Sequence, residues 1–130
     1  IVLAACDVTL IASGTATLEA ALFKRPMVIA YHMGWVSWQL MKRKRLQPWV
    51  GLPNILCRDF VVPELLQSAA TPEALAHGVL NWLDSAHRNP AKIAELQETF
   101  TALHHTLQRD TATLATHAIE KVLQGYSPAN

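Results

Sequence analysis

Two short apolar runs stand near the start of the chain, VTLIA at 8–12 and PMVIAY at 26–31, both β-branched and free of charge. Uncharged runs of that length suit strands covered on both faces, as in a parallel sheet. The thirteen residues between them hold a Ser-Gly-Thr turn and an alanine-rich helical pattern. That is room for a turn and about two to three helical turns. Strand, helix, strand with a right-handed crossover is the expected unit. Ahead of it, residues 1–6 read as the tail of an apolar helix that Asp7 ends.

Beyond His32 the pattern changes period. Trp35, Trp38 and Met41 or Lys42 recur at helical spacing, and the stretch closes on four basic residues, Lys42 to Arg45. Pro48, Gly51 and Pro53 break any helix there. NILC (54–57) reads as a further short strand and VVPELLQ (61–67) as a connecting turn.

Helix signals then dominate. Thr71, Pro72 and Glu73 give a capping hydroxyl, a first-turn proline and an acid near the positive end of the dipole. The helix they open is expected to reach about Ser85 on Leu75, Val79, Leu80 and Leu83. A second follows Asn89-Pro90 with Ile93, Leu96, Phe100, Leu103 and Leu107 on one stripe. Asp110 caps a third, with Leu114, Ala118, Ile119 and Val122 inward and Gly125 as its stop. The organisation is an α/β part over 1–70, helices packing on it over 71–125, and a frayed tail at 126–130.

Composition narrows the class. The 130 residues are 51% hydrophobic with a formal net charge of +1, which suits a packed domain rather than a disordered chain. No apolar run approaches the roughly 20 residues that cross a bilayer. Cys6 and Cys57 have no metal or redox spacing and read as reduced thiols, with a disulfide between them left open. The opening IVLAACDVTL has neither methionine nor a signal-peptide layout, so a longer polypeptide with this as its C-terminal part is expected.

The turn between the first two elements carries the candidate chemistry. In open α/β sheets ligands sit beyond the carboxyl ends of strands. A helix start there presents free N–H groups and about half a positive charge, which suits a phosphate. Gly14 permits close backbone approach, Ser13, Thr15 and Thr17 offer hydroxyls, and Thr15 is placed to cap the helix. Glu19 is no capping-box partner, because the residue three before it is Ala16. An ionised acid there can accept two hydrogen bonds from the vicinal hydroxyls of a sugar. Phosphate at the turn and ribose at the glutamate would make a nucleotide site. Equally, Glu19 can serve only the helix dipole, worth about 0.3–1 kcal/mol, and Ser-Gly-Thr can be only a turn.

The motifs SGTATLEAALFKRPMVIAYHM, GLPNILCRDFVVPELLQ and TPEALA, in that order, closely resemble the C-terminal half of lipid-A-disaccharide synthases. The resemblance runs from about Ala4 to the last helix, and its helical tail is merely compatible. These are GT-B-type glycosyltransferases with two facing Rossmann-like domains. The Ser-Gly-Thr-Ala-Thr-Leu-Glu element is also similar to the donor motif of the peptidoglycan N-acetylglucosaminyltransferase, but GLPNIL favours lipid A. The fold it implies is an α/β, Rossmann-like parallel-sheet half followed by C-terminal helices. Ser13, Gly14, Thr15 and Thr17 then match the loop on the UDP pyrophosphate, Glu19 the acid on the ribose, and Asn54 a polar residue facing the donor sugar or its phosphates. The implied reaction joins UDP-2,3-diacylglucosamine to 2,3-diacylglucosamine 1-phosphate with inversion, releasing UDP, without a metal or other cofactor. Catalytic and acceptor-binding groups are expected in the upstream half, so this segment is expected to bind donor without turnover. A cytoplasmic place at the inner face of a Gram-negative inner membrane is implied as well. Outside the family, a non-catalytic nucleotide-binding α/β module would use the same turn, whereas in a helical interaction domain Glu19 and the basic run would be only surface.

Trp35, Trp38 and the basic Lys42, Arg43, Lys44 and Arg45 fit a membrane-surface patch, given acylated substrates. The bland reading is a solvated helix end with its tryptophans in the core. Nucleic-acid binding is argued against by a net charge of +1 and the lack of a continuing basic stripe. The six histidines form no His-Glu-x-x-His or similar ligand pair, so no metal is assigned. His77, His87 and His117 are expected at the surface and His32 at the edge of the site. An apolar face left uncovered on the final helix would invite a homodimer or swapping.

Overall fold

A computed structural model describes residues 2–44 and 47–125. Ile1, Arg45, Leu46, the tail 126–130, and the side chains of Met41 and Lys44 lie outside the described residues, and with them the expected frayed tail. A single turn, α1 (Val2–Ala5), leads into β1 (Thr9–Ala12), α2 (Thr15–Leu22) and β2 (Met27–Tyr31). Helix α3 (Trp35–Lys44), helix α4 (Leu52–Cys57) and strand β3 (Glu64–Leu66) follow. A 3₁₀ turn (Gln67–Ala69) then connects to α5 (Pro72–Arg88), α6 (Pro90–Leu107) and α7 (Thr111–Gly125).

The sheet is wholly parallel in the order β1-β2-β3, with Ala12 beside Ala30 and Tyr31 beside Leu66. The expected strand–helix–strand unit is therefore present. Central β2 is covered on both faces, and Met27, Val28 and Ile29 are each 0% exposed. Consecutive strand residues point to opposite faces. On the Val28 face lies α5, whose Gly78 leaves room for the Val28 methyls, while Trp82 Nε1 donates to Met27 O at 3.0 Å. On the Ile29 face lies the Gly51 turn that opens α4, and α4 packs on α2. Helix α6 contacts α2, α4 and α5 and closes the core with Leu96, Phe100 and Leu103. The same buried cluster thus draws on both the 1–70 and the 71–125 segments.

Four expectations change. NILC belongs to helix α4, because Pro53 in its first turn presets a helical φ and left-handed Arg58 (φ 56°) closes it. Glu64–Leu66 is a strand rather than a turn, because β2 offers it a free parallel edge at Ile29–Tyr31. Helix α5 runs on to Arg88 and turns Gly78, Trp82 and Ser85 inward, leaving Leu80 and Leu83 exposed. Helix α7 forms behind its Asp110 cap, but none of its residues is buried. Leu114, Ala118, Ile119 and Val122 face outward, since no described surface of the chain lies over them. Both cysteines are free.

Candidate functional site at the carboxyl edge of the sheet

Strand β1 hands over to α2 within two residues. The Ser13 N–H still donates to Ala30 O at 3.1 Å, which extends the ladder by one step. Gly14 then takes φ 143°, ψ −166°, a region closed in practice to residues with a Cβ. A Cβ placed there would meet nothing within 4 Å, so the glycine faces open space. Gly14 is the N-cap and makes no side-chain cap bond, so Thr15 is the first helical residue and not the expected cap.

Thr17 closes the turn from inside. Its N–H and its hydroxyl both donate to Gly14 O, at 3.1 and 2.7 Å, and the residue is 0% exposed. The hydroxyl proton expected to serve a ligand is therefore directed to Gly14 O, where it shapes the turn. The first amides of a helix have no intrahelical acceptor. Those of Thr15 and Ala16 have no other partner among the described residues. At 100° per residue Thr15, Ala16 and Glu19 fall within one quadrant and a little more of α2, and all three are exposed. The Glu19 carboxylate has no hydrogen-bond or ion-pair partner among the described residues. An open helix start with unpartnered amides and a free acid therefore share one face.

Asn54 does not join them. It is 0% exposed; its Nδ2 donates to Val62 O at 2.8 Å and to Glu64 Oε1 at 2.9 Å, while its Oδ1 accepts the Val62 N–H at 3.0 Å. The amide expected to face the donor thus has its donor and acceptor atoms bonded within the protein. Its partner Glu64, which sequence reasoning passed over, accepts the Val50 and Gly51 N–H groups at 2.9 and 2.8 Å. The one available signal was a lone acid in the apolar run VVPELL. On the far side of β2, Gln67 bonds to the main chain of Met33 through both ends of its amide.

The model of the lipid-A-disaccharide synthetase family matches residues 2–119. The chain belongs to the lipid-A-disaccharide synthetase family. Among curated relatives named lipid-A-disaccharide synthase, it is 77% identical over 124 residues to that of Albidiferax ferrireducens, covering 95% of this chain and 32% of the relative. The Verminephrobacter eiseniae protein is 66% identical over 122 residues, covering 94% and 31%. That of Thiobacillus denitrificans is 56% identical over 122 residues, covering 94% and 32%. The chain spans about a third of the length of these relatives.

In this synthetase-family chain the segment between Glu19 and Asp59 contains no acid and seven Lys or Arg residues. Helix α3 lies within it. Trp35 (72%), Val36 (73%) and Leu40 (56%) are exposed there, as are Lys42 and Arg43, whereas Trp38 is half-buried. Among the described residues no helix is long and apolar enough to cross a membrane. His32 is exposed just past β2, and His77, His87 and His117 are exposed as expected. His104 Nδ1 is 2.7 Å from Lys24 Nζ. Among the described residues no group of three or more His, Cys, Asp or Glu is placed to hold a metal ion.

Proposed function

We propose that this chain supplies the UDP-sugar half-site of a lipid-A-disaccharide synthase. Its donor is UDP-2,3-diacylglucosamine and its acceptor 2,3-diacylglucosamine 1-phosphate. The observation that carries the reading is the open Gly14 turn with its unpartnered amides and, on the same face, the free carboxylate of Glu19. Ser13, Gly14 and Thr15 hold the pyrophosphate, Thr17 keeps the turn in shape, and Glu19 accepts from the ribose hydroxyls. The acceptor hydroxyl bonds to the anomeric carbon with inversion, and UDP leaves with the bonding electron pair. The hydroxyl proton passes to a base outside residues 1–130. The positive end of α2 stabilises charge growing on the leaving phosphate, the role a metal ion fills elsewhere, so activity should survive chelation.

Calorimetry with UDP on the full-length protein tests this. Binding is expected, weakened roughly tenfold or more by Glu19→Gln, the scale of hydrogen bonds to a charged acceptor. No binding, or identical affinity in the variant, would remove the donor site. Formation of radiolabelled disaccharide by the full-length protein, but not by residues 1–130, distinguishes an enzyme from a non-catalytic nucleotide module.

Two further parts of the reading concern surroundings. The exposed Trp35, Val36 and Leu40 beside Lys42 and Arg43 support contact between α3 and an anionic lipid surface at the inner face of the inner membrane. Vesicle flotation that is unchanged in a Val36→Asp, Leu40→Asp variant would refute it. The outward stripe of α7 supports a homodimer, which sedimentation of the full-length protein decides.

A further inference from the structure

Pairing between β2 and β3 does not stop where β3 ends. The ladder's last pair is Tyr31 with Leu66, after which the Gln67 backbone turns left-handed (φ 54°) into the 3₁₀ turn. The Gln67 side chain then takes the place of the missing strand. Its Oε1 accepts the Met33 N–H at 2.9 Å and its Nε2 donates to Met33 O at 3.1 Å. Glutamine suits this because it joins a donor and an acceptor at that reach. Asparagine is a methylene shorter, and an ionised glutamate has no donor. A positive φ outside glycine is uncommon, and strain of this kind gathers at functional sites.

Met33 sits in the His32–Gly34 segment, between the end of β2 and the start of α3. That segment is the lateral neighbour of the Ser13–Thr15 turn, because Ser13 N–H is bonded to Ala30 O and adjacent strands run about 4.8 Å apart. Gly34 O accepts the Trp38 N–H at 3.0 Å, so α3 begins directly behind the segment. One side chain thus sets where the second wall of the candidate site stands and where α3 departs from it.

We propose that Gln67 is a positioning residue of the donor site, its carboxamide holding the His32–Gly34 segment beside the Ser13–Thr15 turn. The proposal rests on the donor-site reading above and adds to it a residue that touches no substrate. Gln67→Ala frees the segment. Gln67→Glu keeps an acceptor for the Met33 N–H but sets a charged oxygen against Met33 O, and so fails in the same way.

Steady-state kinetics of the full-length protein, with donor and acceptor varied separately, provide the test. Both variants are expected to raise the donor KM roughly five- to tenfold, on the scale of one or two lost hydrogen bonds, with acceptor KM unchanged and kcat within about twofold. Thr71→Ala is the control. It removes the cap of α5, which bonds the Ala74 N–H at 3.2 Å, and lowers stability without touching this edge. A wild-type donor KM in Gln67→Ala, a loss confined to kcat, or an equal rise in Thr71→Ala would each overturn the positioning role. If the unmodified protein neither binds UDP nor uses the donor, the donor-site reading itself fails, and that outcome is visible before any variant is made.

Discussion

Replacing Asn54 by alanine separates two roles that one sequence motif can carry. The change leaves the Val62 N–H and C=O without the partners they have at 3.0 and 2.8 Å. Val62 is 1% exposed, so bulk water reaches neither bond in the folded chain. Each orphaned buried group costs about 1–3 kcal/mol. The third bond, to Glu64, matters less because that carboxylate keeps the Val50 and Gly51 amides. The sum is roughly 2–6 kcal/mol, with about 3 kcal/mol expected once residual structure in the unfolded chain is allowed for. That is a large part of the roughly 5–15 kcal/mol typical of a domain. With a urea slope of about 2 kcal/mol per molar, the unfolding midpoint of the 130-residue chain should fall by about 1.5 M. Asn54→Asp should do at least as much harm, because it sets a second carboxylate where Nδ2 lies 2.9 Å from Glu64 Oε1. A midpoint within about 0.3 M of the parent, together with lost UDP affinity, would refute the argument and return Asn54 to the ligand.

Other expectations follow from the core, the caps and the thiols. Phe100→Ala empties a side chain that is 0% exposed and should cost about 3–5 kcal/mol in thermal or urea unfolding; a loss under about 1 kcal/mol would mean that α6 does not close the core. Hydrogen bonds from the Thr113 hydroxyl (2.6 Å) and N–H (3.1 Å) hold the Asp110 carboxyl below its usual range. A lowered folded value means that the cap's contribution is present above the ordinary carboxylate range and lost as pH falls through the folded value. Amide protection at the start of α7 should therefore drop in acid, and Asp110→Asn should make it independent of pH. Burial, followed by the Asp59 carboxylate, pushes the Cys57 thiol up. Asp59→Asn should accordingly speed alkylation of Cys57 at pH 8, and an unaltered rate would exclude the carboxylate as a cause.

What could be read from residues alone was the part governed by local rules. The β1–α2–β2 unit follows from two uncharged runs and a small-residue helix, and the caps at Thr71 and Asp110 follow from side-chain chemistry. The errors lie where a partner decides. Three residues, Glu64–Leu66, carry no strand period of their own and become a strand because Ile29–Tyr31 has an open edge. NILC is too short for its apolar character to separate strand from helix. On α5 the inward face is marked by Gly78 and Trp82 rather than leucines, because helix and sheet approach closely there. At the site, the Gly14 turn and Glu19 were legible as chemistry. Thr17 and Asn54 offered the same polar groups, and their inward turn depends on carbonyls at Gly14 and Val62 that no spacing rule locates.

The empty space around Gly14 has a consequence for how this position tolerates change. Nothing lies within 4 Å of where a side chain would begin, so bulk is irrelevant there; handedness at φ 143° is what excludes the other residues. In a saturation scan of the unliganded fold, alanine should fare no better than leucine or lysine. A graded response by size would instead mean that the turn relaxes and that its shape is set by whatever fills it.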